Sequence, residues 1–361
     1  MVVQEGVEKE FVLKDLFGAA FFLFILSANK FRQTMTVMRK KILLYGLICI
    51  LTAGLFESVL AKSILFVETK SIRMESKDLI GRWDITIDVN GKPAPSWLEV
   101  KLSGYKTLVG YFVSTSGSAR PIAEVKFVNG RFNFEIPPQW ESGNQNMIIE
   151  GEVTATGIAG IMTDCDGKKF QWKGVKAPLL KRTSVQVWGK PINLFNGQNL
   201  TGWKASGENQ WIVKNGILTS PKAGSNLITE QKFTDFKLHV EFKYQKGGNS
   251  GVYLRGRYET QIEDSDRDAH PNSVLFGGIY GFLTANEMVT RGPGEWQTFD
   301  ITLVGRMVTV VANGKTIISN QEIPGITGGA LDSHEGEPGP IYLQGDHRPI
   351  EFRKIILTPA K

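Results

Sequence analysis

Residues 247–265 read GGNSGVYLRGRYETQIEDS, and their alternation decides the fold. Val252 and Leu254 take one side of an extended strand, which places Tyr253 and Arg255 on the other. Glu259, Gln261 and Glu263 share a face opposite Tyr258, Thr260 and Ile262. A period of two marks a strand with one buried and one polar side. If the two strands are neighbours, their polar sides merge into a single patch.

The same rhythm runs outward in both directions. FKLHVEFKY (236–244) sets Phe236, Leu238, Val240 and Phe242 on one side. QTFDITLVG (297–305), MVTVVANGK (307–315), PIYLQGD (340–346) and IEFRKIILT (350–358) continue it, with long loops at 264–278 and 284–295. A two-sheet sandwich with one curved, polar face fits residues 192–361. Upstream, residues 79–175 hold a second run of short alternating strands, among them GRWDITIDVNG (81–91) and RFNFEI (131–136). Asn-Gly pairs at 129–130 and 313–314 are hairpin signals. About seven strands in this space predict a small antiparallel barrel or sandwich. Gly81-Arg82-Trp83 loosely resembles the opening of lipocalin-like barrels. Residues 176–191, basic with two prolines, read as a linker. The chain is therefore expected to be all-β.

Residues 38–61, MRKKILLYGLICILTAGLFESVLA, have a different character. Arg39, Lys40 and Lys41 form a basic n-region, Ile42–Leu55 an apolar stretch, and Val59 and Ala61 a small-residue cleavage site. This predicts a secretory signal peptide cut after Ala61, and a periplasmic or secreted protein that meets the membrane only through that signal. Residues 1–61 are thus an extension plus a removable address, with Met35 or Met38 as alternative starts. Cys49 lies inside the address, so Cys165 is left unpaired and reads as a structural thiol. Seven of the 42 Lys and Arg and five of the 36 Asp and Glu fall in residues 1–61. The remaining 35 basic and 31 acidic residues are too balanced for a nucleic-acid partner.

The C-terminal unit resembles the 3-keto-disaccharide hydrolase family, whose fold is a concanavalin-like, laminin-G-like jelly roll. The resemblance spans about residues 190–359. It rests on LFNGQNLTGW (194–203), FTDFKLHVEFKY (233–244), GGNSGVYLRG (247–256), YETQIEDS (258–265), GGIYG (277–281), PGEWQTFDI (293–301) and GGALDSHEGEPGPIYLQGDHRPIEFRKI (328–355), in that order. Lys354 stands where the family often has Asn, and Arg348 where Gly is common. The resemblance implies cleavage of disaccharides or glycosides oxidised at carbon 3, with an upstream sugar 3-oxidoreductase as the source of the ketone.

A 3-keto sugar admits a route that ordinary sugars do not. The ketone acidifies the hydrogen on carbon 2, so a base can form an enolate, expel the aglycone from carbon 1 and leave an enone that takes up water. The route needs a base, a cation or hydrogen-bond donor at the ketone oxygen, and an acid for the leaving oxygen. Arg255 is the expected cation, and Glu259 or His347 the base. Gln261 and Gln344 orient hydroxyls, with Tyr253, Glu263 and Asp346 also expected on the sugar, and Glu295 and Trp296 on the rim. Two other functions compete: a non-catalytic carbohydrate-binding protein, and an ordinary glycosidase whose two carboxyls stand about 5–10 Å apart. No cofactor is expected. Asp264, Asp266 and Asp268 share the spacing of a calcium loop, but Ala269 and Leu275 stand where it needs Gly and Glu, leaving only a looser calcium site open.

Overall fold

The computed structural model describes residues 75–361. The expected signal peptide, the extension before it and Cys49 lie outside the described residues. Among the described residues no helix is long and apolar enough to cross a membrane. The architecture is all-β, after a single helical turn, α1 (Ser76–Leu79).

The first unit has eight strands, β1 (Gly81–Val89), β2 (Lys92–Ser103), β3 (Thr107–Val113), β4 (Arg120–Val128), β5 (Arg131–Ile136), β6 (Met147–Val153), β7 (Ile158–Thr163) and β8 (Lys169–Lys176). They pair in chain order, and β8 closes on β1, so this unit is a closed barrel. Alternation accounts for it: along β5, Phe132, Phe134 and Ile136 are buried while Arg131, Asn133 and Glu135 are exposed. Asn129 and Gly130 have φ of 52° and 83°, the paired positive values that a two-residue hairpin turn needs. Cys165 is a buried free thiol.

Residues 177–191 are strapped to the C-terminal unit rather than hanging free. Arg182 Nε donates to Asp235 Oδ2 at 2.7 Å, Trp188 bridges Ala360, and the Lys237 ammonium lies 4.8 Å from the Trp188 ring centre.

The second unit contains β9 (Ile192–Asn193), β10 (Trp203–Ala205), β11 (Ile212–Lys214), β12 (Ile217–Ser220), β13 (Leu227–Phe233), β14 (Phe236–Tyr244), β15 (Asn249–Leu254), β16 (Tyr258–Glu263), β17 (Gln297–Val304), β18 (Met307–Ala312), β19 (Lys315–Glu322), β20 (Gly339–Leu343) and β21 (Ile350–Pro359). One sheet runs β10-β13-β20-β15-β16, the other β11-β12-β21-β14-β17-β18-β19 with β9 beside β21. Between them lie Phe236, Leu238, Val240 and Phe242 from one sheet and Val252, Leu254, Ile262 and Leu343 from the other, all fully buried. This is a jelly-roll sandwich.

Barrel and sandwich form one compact unit. Trp97, on the outer side of β2, is wholly buried in the sandwich's core cluster and meets Phe282 edge-on at 5.2 Å. Arg82 pairs with both Glu99 and Glu322, and Thr86 Oγ1 lies 2.9 Å from Ser333 Oγ. A barrel with an apolar core of its own is thus also fused to its neighbour through one outer side.

Candidate functional site

The five-stranded sheet turns one face away from the sandwich core. On β15 and β16 the register pairs Tyr253 with Glu259, Gly251 with Gln261 and Asn249 with Glu263. Tyr342 on β20 is opposite Tyr253, and their rings stack 4.2 Å apart at 9°. Directly opposed residues share a face, so Tyr253, Glu259, Gln261, Glu263 and Tyr342 converge, as the alternation predicts. Gln344 follows two residues after Tyr342 and donates its backbone N–H to the Gly251 carbonyl at 2.9 Å.

Glu259 lies at the centre and is 3% exposed. Its carboxyl folds back over Gly251, where any Cβ would come within 2.1 Å of Glu259 Oε1. Only glycine leaves that space, and Gln261 and Gln344 flank it. Tyr253 Oη lies 2.8 Å from Glu259 Oε2 and 2.8 Å from the Gly328 carbonyl oxygen. A phenol has one proton, and a carbonyl can only accept. Every partner is satisfied when Tyr253 donates to Gly328 and a protonated Glu259 donates to Tyr253. Electrostatics agree: burial pushes the Glu259 carboxyl up to about 8, against the Tyr253 hydrogen bond, and the Asp346 charge adds to the rise.

Asp346 and His347 follow β20 in a partly exposed loop. His347 Nδ1 and Asp346 Oδ1 are 2.5 Å apart, and Asn226 Nδ2 donates to Asp346 Oδ2 at 3.4 Å. Burial works to raise the Asp346 carboxyl, but the hydrogen bonds from His347 and Asn226 outweigh it and hold it low. The bond to Asp346 raises His347 despite its partial burial. A buried carboxyl pushed up by burial thus lies near an Asp346–His347 pair in which the carboxyl is pulled down and the imidazole up. Beside them, the Oε1 atoms of Gln261 and Gln344 are buried without a partner. Buried carbonyl oxygens without a partner suit a ligand that donates hydrogen bonds.

Three expected residues stand elsewhere. Arg255 does not share the face of Glu259. β15 ends at Leu254, and Arg255 adopts a φ of 53° in the hairpin, which breaks the alternation. Its guanidinium is fully buried, where Nη2 donates to Tyr258 Oη at 2.8 Å and to the Gly305 carbonyl at 3.0 Å. Arg255→Gln is accordingly expected to destabilise the fold by about 1–3 kcal/mol, the scale of hydrogen bonds lost from a buried charged group. A urea midpoint equal to wild type would mean that the guanidinium reaches solvent. Trp296 lies on the other sheet, under Arg353 and Lys243 at 4.4 and 5.0 Å from its ring centre. Glu295 lines a separate cleft with Asp264, Asp266, Arg267 and Arg291.

The aspartates of the calcium-like run serve the backbone. Asp264 Oδ2 accepts the Gly247 N–H at 2.7 Å and Asp266 Oδ1 the Asp268 N–H at 3.0 Å. Among the described residues no group of three or more His, Cys, Asp and Glu is placed to hold a metal. Sequence reasoning passed over Tyr342 as a site residue, although its alternation with Gln344 marks it, and Asn226, which carries no local signal.

Residues 190–358 match the family model described as the 3-keto-alpha-glucoside-1,2-lyase-like domain, so the resemblance read from the sequence holds over this unit. A 3-keto-disaccharide hydrolase of Bacteroides thetaiotaomicron is 24% identical, over 44% of this chain and 74% of its own length. A solved structure from Parabacteroides distasonis, provisionally a glycosyl hydrolase, is 28% identical over 49% of this chain and 92% of its own, with a TM-score of 0.40. A carbohydrate binding module from Bacillus subtilis is 10% identical over 43% of this chain and 93% of its own, with a TM-score of 0.32.

Proposed function

We propose that the recess around Glu259 cleaves glycosides whose sugar carries a ketone at carbon 3. The observation that carries this reading is the buried Glu259 carboxyl, hydrogen-bonded to Tyr253, with Asp346 and its partner His347 beside it; burial pushes Glu259 up while hydrogen bonds hold Asp346 low. Groups whose surroundings push their pKa values apart mark acid and base roles. The family match and the relative's name supply the substrate class.

In this scheme His347, oriented by Asp346, removes the proton on carbon 2 once its imidazole is neutral. The electron pair moves to the ketone oxygen as an enolate. With Arg255 committed elsewhere, amide N–H groups of Gln261 and Gln344 replace it as donors to that oxygen. The carbon 1–oxygen bond breaks, and the departing oxygen takes the Glu259 proton. Water then adds: its oxygen joins carbon 1 while Glu259 takes up its proton, and His347 returns its proton to carbon 2, which restores both groups. Side chains alone carry these steps, with no cofactor. An oxidoreductase acting at carbon 3 must supply the ketone, and the basic and apolar run at 38–61 supports a periplasmic or secreted location.

A second reading draws on the same pair. Glu259 as acid and Asp346 as the ionised carboxylate match the division of labour in an ordinary glycosidase. Purified protein incubated with a 3-keto-glucoside and with its unoxidised parent separates the two. Release of aglycone from the ketone alone is the expected result. Release from both assigns the ordinary mechanism, and release from neither leaves a non-catalytic carbohydrate-binding protein.

A further inference from the structure

The barrel packs against loops beside Glu259. Its segment after β3, residues 114–119, lies against the two sandwich loops that roof Glu259. A Cβ at Gly328 would meet the Gly117 carbonyl oxygen at 2.1 Å, and one at Gly281 would meet the Ala119 nitrogen at 2.5 Å. Gly328 is the residue whose carbonyl lies 2.8 Å from Tyr253 Oη, and Tyr280, beside Gly281, donates its backbone N–H to the Glu259 carbonyl at 3.0 Å. The barrel therefore packs against one loop that meets Tyr253, the hydrogen-bond partner of Glu259, and another that meets the Glu259 backbone.

Beside Gly117 stands Trp140, 71% exposed. Exposed tryptophan on a mobile loop would carry little meaning, but this one is fixed. Its backbone N–H and that of Gln139 donate to Glu141 Oε2 at 3.0 and 2.7 Å. Glu141 is paired in turn with the buried Arg120 at 3.0 Å. Gln139 Nε2 donates to Ser118 Oγ at 2.7 Å and Gln139 Oε1 accepts the Ser118 N–H at 3.2 Å. The indole leans over Gly117, whose Cβ would lie 3.2 Å from Trp140 Cδ1. The indole also lies near the phenol of Tyr280, whose backbone N–H meets the Glu259 carbonyl. A large ring left in water on a loop with a braced backbone keeps a flat apolar face and a polar edge free for a ligand.

The geometry points to Trp140 as a carbohydrate-stacking platform that the barrel contributes to the sandwich's site, holding the ring beyond the bond that is cut. The C–H face of a pyranose covers the indole, and the Tyr280 phenol meets its hydroxyls. The proposal rests on the functional reading above for the chemical class of the ligand. It makes the barrel a specificity element rather than a separate module.

The test uses the full chain in a Glu259→Gln background, so that ligand is not consumed. Titration calorimetry compares a glucose disaccharide, its 3-keto derivative and methyl 3-keto-glucoside, with and without Trp140→Ala. Loss of the platform is expected to weaken both disaccharides about tenfold and the methyl glycoside far less, as removal of an interfacial aromatic anchor does. Trp140→Phe recovers most of that loss. Because the side chain is exposed, its removal leaves the fold intact. If Glu259-containing protein cleaves the 3-keto disaccharide while Trp140→Ala binds all three ligands as tightly as its parent, the platform falls and the function stands. If nothing is cleaved but the disaccharide affinity still drops tenfold, the function falls and the platform stands. If no ligand binds, both fall.

Discussion

Glu259→Gln is expected to abolish turnover and at the same time make the protein more stable. The folded state holds a proton on Glu259 up to about pH 8, whereas the unfolded chain releases it near the ordinary 4.5. Between those values the unfolded state binds fewer protons, so stability falls as pH rises through this window and levels off above it. At pH 7 the gap from 4.5 amounts to about 3 kcal/mol at roughly 1.4 kcal/mol per unit. Glutamine carries no such burden, and its Nε2 can donate to Tyr253 Oη as the protonated carboxyl does. Urea unfolding at pH 5, 7 and 8.5 checks this: the variant should gain little at pH 5 and most at pH 8.5. Activity follows the opposite logic. The alkaline limb of kcat/KM should fall near pH 8 as Glu259 loses its proton, and the acid limb should follow protonation of His347. A variant that keeps a tenth or more of wild-type turnover removes Glu259 from the chemistry. A variant no more stable than wild type at pH 8.5 means that the carboxyl is ionised in the fold.

What the sequence shows and hides depends on the range of the forces involved. Period-two alternation is local, so the shared face of Tyr253, Glu259, Gln261 and Glu263 is legible from GVYLRG and YETQIED alone. It fails at Arg255 because the strand ends one residue earlier, and a left-handed φ turns the side chain into the interior. Trp296 is misplaced for another reason. A residue beside a strand can be read as such, but the sheet that strand joins depends on pairing over long separations, here β17 with β14. The state of Glu259 is equally invisible, since the Tyr253 phenol bonded to its carboxyl is held in turn by Gly328, 75 residues further along the chain. Trp140 comes after Pro137 and Pro138, where alternation has stopped, and nothing local says that the loop is braced by Arg120 and Glu141.

Arg306→Met is expected to cause the largest loss of stability in the molecule. Arg306 is 3% exposed and Glu335 wholly buried, and they form a two-point ion pair whose longer contact, Nε to Oε1, is 3.2 Å. Tyr258 Oη donates to Glu335 Oε1 at 2.7 Å, and Arg255 reaches Tyr258 in turn. From the barrel, Asp84 enters the same cluster, and burial together with the Glu335 charge holds its carboxyl protonated. The cluster therefore joins β1, the turn after β17 and the turn after β15 where barrel meets sandwich. Removing one partner of a buried pair strands the other charge without water, at a cost of about 3–5 kcal/mol. Methionine fills the volume, so the loss belongs to the charge rather than to a cavity. Adding Glu335→Gln to Arg306→Met should recover more than half of the loss, because the second change removes the stranded carboxylate. Lost packing predicts the reverse, with two substitutions costing more than one. Denaturant midpoints of the two single variants and the double variant decide between these accounts. A single-variant loss below about 1 kcal/mol would place the cluster in the range of solvent-exposed pairs.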